Sequence, residues 1–170
     1  VSASLGISSF FLTYTICIIL GISKAVRHET TFDTASSLIV LIGYSTPGFV
    51  MGIFVIVFLG PGDSAIIHLI PLSGLTSAGT PGYEDWSTLK KVTDYLHHLA
   101  APLFCFILGG FATLTMLTKN AILEEKQKQY VLTARAKGMP EKIVLFKHVL
   151  KNALIPLVTG FPTAFLAMFF

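Results

Sequence analysis

The chain has 170 residues, 53% hydrophobic and 12% charged, with a formal net charge of +3 at pH 7 and a mean hydropathy of +0.74. A soluble domain carries about 25% charged residues. So little charge, beside 14 phenylalanines, excludes an ordinary soluble globular domain, a disordered tail and a disulfide scaffold, and leaves the membrane class.

The first predicted span covers residues 3–22, which contain no Asp, Glu, Lys or Arg. A helix needs about 20 such residues to cross a hydrocarbon core of about 30 Å. No basic stretch precedes it and no small-residue cleavage site follows, so it does not read as a signal peptide. Val1 is not an initiator Met, and the chain reads as an internal fragment of a longer one. Cys17 and Cys105 both sit in apolar runs and read as small buried hydrophobes. No Cys/His spacing matches a metal site.

The second uncharged run, residues 34–62, is longer than a span needs. It is expected to end near the Pro61-Gly62 pair and to tilt or bend at Pro47 and Gly48, because proline removes a backbone donor. Ser45 and Thr46 just before the bend are placed to satisfy freed carbonyls. Residues 64–83 are also uncharged, but half of them are Gly, Pro, Ser or Thr, which is loop composition. A re-entrant segment at 66–71 is the other reading there. The third and fourth uncharged runs are 95–118 and 152–170. Together the runs predict an all-α polytopic transmembrane bundle with spans at about 3–22, 36–60, 97–118 and 153–170. Pro47, Gly48, Gly160 and Pro162 are the candidates for helix bends around a passage, with kinks from simple packing as the alternative.

Charge in the loops orients the chain. Lys24 and Arg27 lie in the first loop, and eight further basic residues lie in residues 119–151. Only Lys90 and Lys91 lie in the loop 63–94, against four acids. Basic loops stay cytoplasmic, so 119–151 faces the cytoplasm and 63–94 the exterior.

The cytoplasmic loop carries the most information. Residues 121–137 contain no Gly or Pro and are rich in helix formers. Gly138 follows Lys137, as a helix C-terminus favours, and Pro140 stands at a natural first helical position. A second helix is predicted over 141–152, with Ile143, Phe146, Val149 and Leu150 sharing a face. The loop therefore reads as helix, glycine turn, helix: a structured knob. Contact with anionic lipid and docking of a protein both remain open on this pattern. Nucleic acid is not needed to explain basicity beside spans.

The run Tyr130-Val131-Leu132-Thr133-Ala134-Arg135-Ala136-Lys137-Gly138, followed by Lys147-His148-Val149-Leu150-Lys151-Asn152-Ala153-Leu154-Ile155-Pro156, resembles the cytoplasmic signature of ABC-importer permeases, and within them the dipeptide/oligopeptide permease family. Gly43-Tyr44-Ser45-Thr46-Pro47-Gly48-Phe49 resembles that family's second signature. Leu117-Thr118-Lys119-Asn120, Gln129-Tyr130 and Gly160-Phe161-Pro162 look most like its Yej type, an inner-membrane importer of oligopeptides and the peptide antibiotic microcin C. Against the general importer loop, Leu132 stands where Glu is usual and Lys151 where Pro is usual, both as in the peptide subfamily.

The resemblance implies the type I ABC-importer permease fold, with about four of six spans present. It implies a bacterial cytoplasmic (inner) membrane location. It makes the knob a coupling loop, formed by Thr133, Ala134, Arg135, Ala136, Lys137, Gly138, Met139, Pro140 and Lys142, that docks on a separate cytoplasmic ATPase. Gly138 permits the turn, and Ala134 and Ala136 allow close approach. Arg135, Lys137 and Lys142 are candidates to pair with acids of the ATPase, with simple solvation as the alternative. Met139, Ile143 and Phe146 are candidate apolar anchors, with burial in the loop's own core as the alternative. The implied partners are that ATPase, a second permease subunit, a periplasmic or extracellular peptide-binding protein, and membrane lipid. Tyr83 and Trp86 are candidate contacts for the binding protein, with anchoring at the membrane interface, the more common role beside spans, as the alternative. No G-x-x-x-x-G-K-[ST] occurs, so no cofactor is expected on this chain and ATP belongs to the partner.

Three rival readings remain. A stand-alone membrane scaffold would show no transport and no ATPase partner. An ion-coupled carrier or channel would need an intramembrane charge relay, and none of the four uncharged runs holds one. An intramembrane hydrolase would use Ser73 with His97 or His98, but no Gly-x-Ser-x-Gly surrounds Ser73.

Overall fold

The computed structural model describes residues 2–61, 70, 71 and 74–166, and no strand occurs among them. Gly62, Asp63, Ser73, most of the segment 66–71 and the end of the fourth run lie outside the described residues.

Helix α1 (Ser2–Val26) is a single apolar rod that ends in its only basic turn, at Lys24. A tight turn follows, and the Thr30 hydroxyl accepts from the Asp33 N–H to cap α2 (Thr31–Ser45). Helix α3 (Gly48–Leu59) departs from α2 at 97°. Pro47 cannot donate, and its extended ψ of 138° ends α2's path. Ser45 Oγ donates to Leu41 O at 2.9 Å, and Thr46 Oγ1 to Ile42 O at 3.1 Å, satisfying two carbonyls at the elbow. With 15 and 12 residues, each half is about 18–22 Å long, too short to span alone.

Beyond the loop, Tyr83 and Trp86 pack with ring centroids 5.1 Å apart, and Lys90 Nζ lies 3.6 Å over the Trp86 ring. Asp94 accepts from both the N–H and the hydroxyl of Ser77 at 2.7 Å, tying the loop to the next helix. That helix, α4 (Thr88–Glu125), runs 38 residues, about 57 Å, through Pro102 and well past the thickness of a bilayer core.

Helices α1 and α4 form the spine. Gly21 allows their contact: a Cβ there would stand 2.5 Å from Thr118 Cβ and 2.9 Å from the Thr115 carbonyl. Close approach through small residues is how helices associate in lipid. Cys17 is buried in the same seam and its Sγ donates to Phe111 O at 3.4 Å. It is a packed thiol, as its apolar run implied.

The segment 119–151 departs from its sequence pattern in two places. Residues 121–137 do not form one helix. α4 ends at Glu125, and α5 (Gln129–Ala136) starts after a turn at Lys126-Gln127-Lys128. The turn folds Val131 and Ala134 back onto Ile122, and burying those side chains outweighs local helix propensity. Residues 141–152 are not one regular helix either. A short α6 (Glu141–Ile143) runs into a π-helical segment, Val144–Val149, then α7 (Leu150–Ala153). The wider turns bring Val144 and Val149 to the inside together and rotate Ile143 and Phe146 outward, 45% and 66% exposed. After a 43° bend at Leu154, α8 (Ile155–Leu166) begins. Gly160 and Pro162 lie inside α8, beyond that bend. Phe161 of α8 packs edge-on to Phe10 of α1, with centroids 4.8 Å apart.

Candidate functional site

The knob has its own core. Val131 and Ala134 of α5, Val144, Leu145 and Val149 of the π segment, and Leu150 and Ala153 of α7 close over Ala25 of α1 and Ile122 of α4. The knob is thereby seated on the ends of both spine helices. Lys126 Nζ adds a bond to Ala25 O at 3.3 Å.

Gly138 makes the turn at φ +76°. The Gly138 N–H donates to Arg135 O at 2.9 Å and the Met139 N–H to Ala134 O at 3.3 Å. These are the paired bonds of a Schellman C-cap, and Met139 supplies its apolar contact by packing on the core. Met139 is therefore engaged within the knob rather than offered as an external anchor. A Cβ at Gly138 would meet nothing within 4 Å, so glycine is required for its backbone angle and not for space. Pro140 is the N-cap and not the first helical residue: its ψ of 137° is extended, and its carbonyl accepts from Ile143 and Val144.

Arg135 is paired within the knob. It clamps Glu141 across the glycine turn, Nε to Oε2 at 3.0 Å and Nη2 to Oε1 at 2.7 Å. The guanidinium holds the Glu141 carboxyl below the usual glutamate range. Among the described residues, Lys137 and Lys142 form no ion pair and are exposed, as are Thr133, Ala136 and Pro140. Ala134 is buried in the core of the knob. The knob's outer surface thus offers Lys137 and Lys142 with Leu132, Ile143 and Phe146, all exposed.

The spacing of the signature acquires a reason. Tyr130 and Asn152 meet: Asn152 Nδ2 donates to the Tyr130 hydroxyl at 2.7 Å, and that hydroxyl donates to the Glu125 carboxylate. The His148 carbonyl lies 3.2 Å from the same oxygen. One phenol pins the end of α4 to α5, the π segment and α7.

A second cluster was invisible to pattern reading. Lys24, Asp33 and Lys119 are 0%, 4% and 8% exposed. Lys24 Nζ reaches Asp33 Oδ1 at 3.0 Å, Asp33 O and Ser36 Oγ at 2.8 Å, and Ser37 Oγ at 2.7 Å. Lys119 Nζ holds both carboxylate oxygens, at 2.8 and 2.7 Å. His28 Nδ1 and the Glu29 N–H each lie 3.2 Å from Oδ2. The cluster clasps the ends of α1, α2 and α4. The available signal was Asp33 with Ser36 and Ser37 at helical spacing, beside lysines just past two apolar runs.

The sequence comparisons agree with this architecture. Residues 17–170 match the family model described as "Binding-protein-dependent transport system inner membrane component". Over its full 170 residues the chain is 46% identical to the inner membrane ABC transporter permease protein YejB of Escherichia coli O157:H7, and 45% identical to the peptidoglycan transport system permease protein YejB of Agrobacterium fabrum. Over 153 residues, 90% of the chain, it is 34% identical to the oligopeptide transport system permease protein AppB of Bacillus subtilis. The chain spans 45% of the length of each of these three relatives. It belongs to the family of binding-protein-dependent transport system inner membrane components, multi-pass helical membrane proteins of the type I ABC-importer permease fold.

Proposed function

We propose that this chain is part of a permease subunit of an ATP-driven importer of peptide-containing solutes, and that its knob is the surface on which a separate cytoplasmic ATPase docks. The observation that carries the reading is the knob itself. It is a compact element with its own core and a capped left-handed turn at Gly138, seated on α1 and α4 through Ala25 and Ile122. A push on such an element reaches the spine helices instead of being absorbed by a soft loop. Leu132, Ile143 and Phe146 supply apolar contact, and Lys137 and Lys142 supply pairing for acidic groups.

In this reading the ATPase binds and hydrolyses ATP, and this chain does no chemistry. Closure of two ATPase subunits moves two docked knobs, this one and that of a second permease, and the bundle alternates between inward- and outward-open states. A binding protein delivers the solute at the exterior loop, where Tyr83 and Trp86 stand, and lipid covers the apolar faces of α2 and α3. The names of the relatives, oligopeptide and peptidoglycan transport among them, support a solute with a peptide portion.

The test is reconstitution of the full-length permease with its ATPase, carrying Gly138→Trp. Insertion into the membrane should be intact and solute-stimulated ATP hydrolysis should be lost. Unchanged stimulation would overturn the proposal.

A further inference from the structure

Lys24, Asp33 and Lys119 form a buried charge cluster that neither docking nor insertion requires. Two ammonium groups share one carboxylate with almost no solvent. Apolar side chains of similar volume often hold helices together as well as a buried ion pair does. What charge adds is a fixed position: bonds of 2.7–3.0 Å converge on one carboxylate from two helices, whereas apolar faces slide past each other.

The location of the cluster gives that position a use. Lys24 adjoins Ala25, and Lys119 stands about one turn before Ile122. Ala25 and Ile122 are the residues by which α1 and α4 enter the core of the knob. No described residue of α2 or α3 belongs to that core. Asp33 is in the first turn of α2, which leads into the 97° elbow with α3. The cluster is thus where the support of the knob meets the bent pair.

We infer that Asp33 is a positioning residue for transport coupling: held by Lys24 and Lys119, it carries displacement of the docked knob into α2 and the elbow. This rests on the docking of an ATPase at the knob. Ser36 and Ser37 fix the rotation of α2. Both hydroxyls accept from Lys24 and donate to carbonyls of their own helix, Ser36 to Phe32 O at 2.6 Å and Ser37 to Asp33 O at 2.8 Å. The α1–α2 turn adds a further hold. Glu29 adopts φ 63°, a conformation rare for a side-chain-bearing residue, and its N–H points at Asp33.

The test uses the full-length permease assembled with its ATPase, second permease and binding protein in proteoliposomes. Lys119→Gln cuts the α4 link and leaves Lys24 and Asp33 as a balanced pair. These complexes should retain the ATPase and hydrolyse ATP, while solute imported per ATP falls about fivefold, within the range of coupling substitutions. Lys119→Arg should restore most of the ratio. An unchanged ratio in Lys119→Gln overturns the role of the clasp and leaves docking intact. Failure of the native permease to retain an ATPase overturns docking, and the clasp with it. Should Lys119→Gln not assemble, the Ser36→Ala/Ser37→Ala pair, which keeps all three charges, should lower the ratio about twofold, and no change there overturns the inference.

Discussion

Asn152 donates to the Tyr130 hydroxyl at 2.7 Å across 22 positions of sequence, a direct side-chain bond between the two halves of the signature. Tyr130→Phe keeps the ring and removes both bonds, while the partly exposed Asn152 amide and Glu125 carboxylate turn to water. The expected cost is about 0.5–1.5 kcal/mol. A double-mutant cycle with Asn152→Ala, followed by thermal unfolding of the assembled complex in detergent, should give a coupling of about 1 kcal/mol. Additive losses would mean that the bond contributes nothing.

At Gly138 the expected penalty is conformational. Gly138→Ala should cost about 1–2 kcal/mol, because a Cβ at φ +76° is strained although the space is open. Gly138→Asn should cost less than Gly138→Val, since Asn tolerates the left-handed region. Equal melting temperatures for the Asn and Val variants would contradict this account of the turn.

Gly21 is the opposite case, where space decides. A methyl there would meet Thr118 Cβ at 2.5 Å and a carbonyl at 2.9 Å. Gly21→Ala should push α1 from α4 and destabilise the spine by about 1–3 kcal/mol. Thr118→Gly in the same chain should recover only part, because the Thr115 carbonyl remains. Full tolerance of Gly21→Leu by yield and melting temperature would refute the close contact.

The buried clasp gives an ordered pair of outcomes. Asp33→Ala leaves two ammonium groups without their carboxylate and should cost about 3–5 kcal/mol. Lys119→Gln leaves one balanced pair and should cost clearly less. The melting temperatures of the two variants, measured side by side, check the order, and the reverse order would deny the shared carboxylate.

The Arg135–Glu141 clamp is exposed and should contribute less than about 1 kcal/mol. Its sign with pH is definite. The folded Glu141 carboxyl titrates below its ordinary, unfolded value because the Arg135 guanidinium bonds it. The contribution is therefore present above that value and is lost as pH falls through the folded one. A difference in melting temperature between native and Glu141→Gln chains should exist at neutral pH and vanish in acid. A difference that grew in acid would contradict the pairing.

What could be read in the sequence was what depends on runs and on single residues. Uncharged stretches marked the apolar helices, Pro47 marked the elbow, and Gly138 after Lys137 marked the C-cap. The break at Lys126-Gln127-Lys128 carries no Gly or Pro and exists because Val131 and Ala134 are buried against Ile122. The π segment was illegible because Val144 and Val149 match neither three- nor four-residue spacing. Lys24 and Lys119 read only as basic loop residues that orient the chain, since it takes the meeting of α1, α2 and α4 to remove them from water. The pairing of Arg135 with Glu141 was illegible because nothing local showed Glu141 folding back across the turn.

The most direct measurement is site-specific photocrosslinking in membranes that hold the full-length permease and its ATPase. A photoreactive residue at Phe146, on the outer face of the knob, should crosslink to the ATPase, and one at Ile39, on the outer face of α2, should not. Crosslinks to the ATPase from both positions, or from neither, would contradict the claim that the knob is the docking surface.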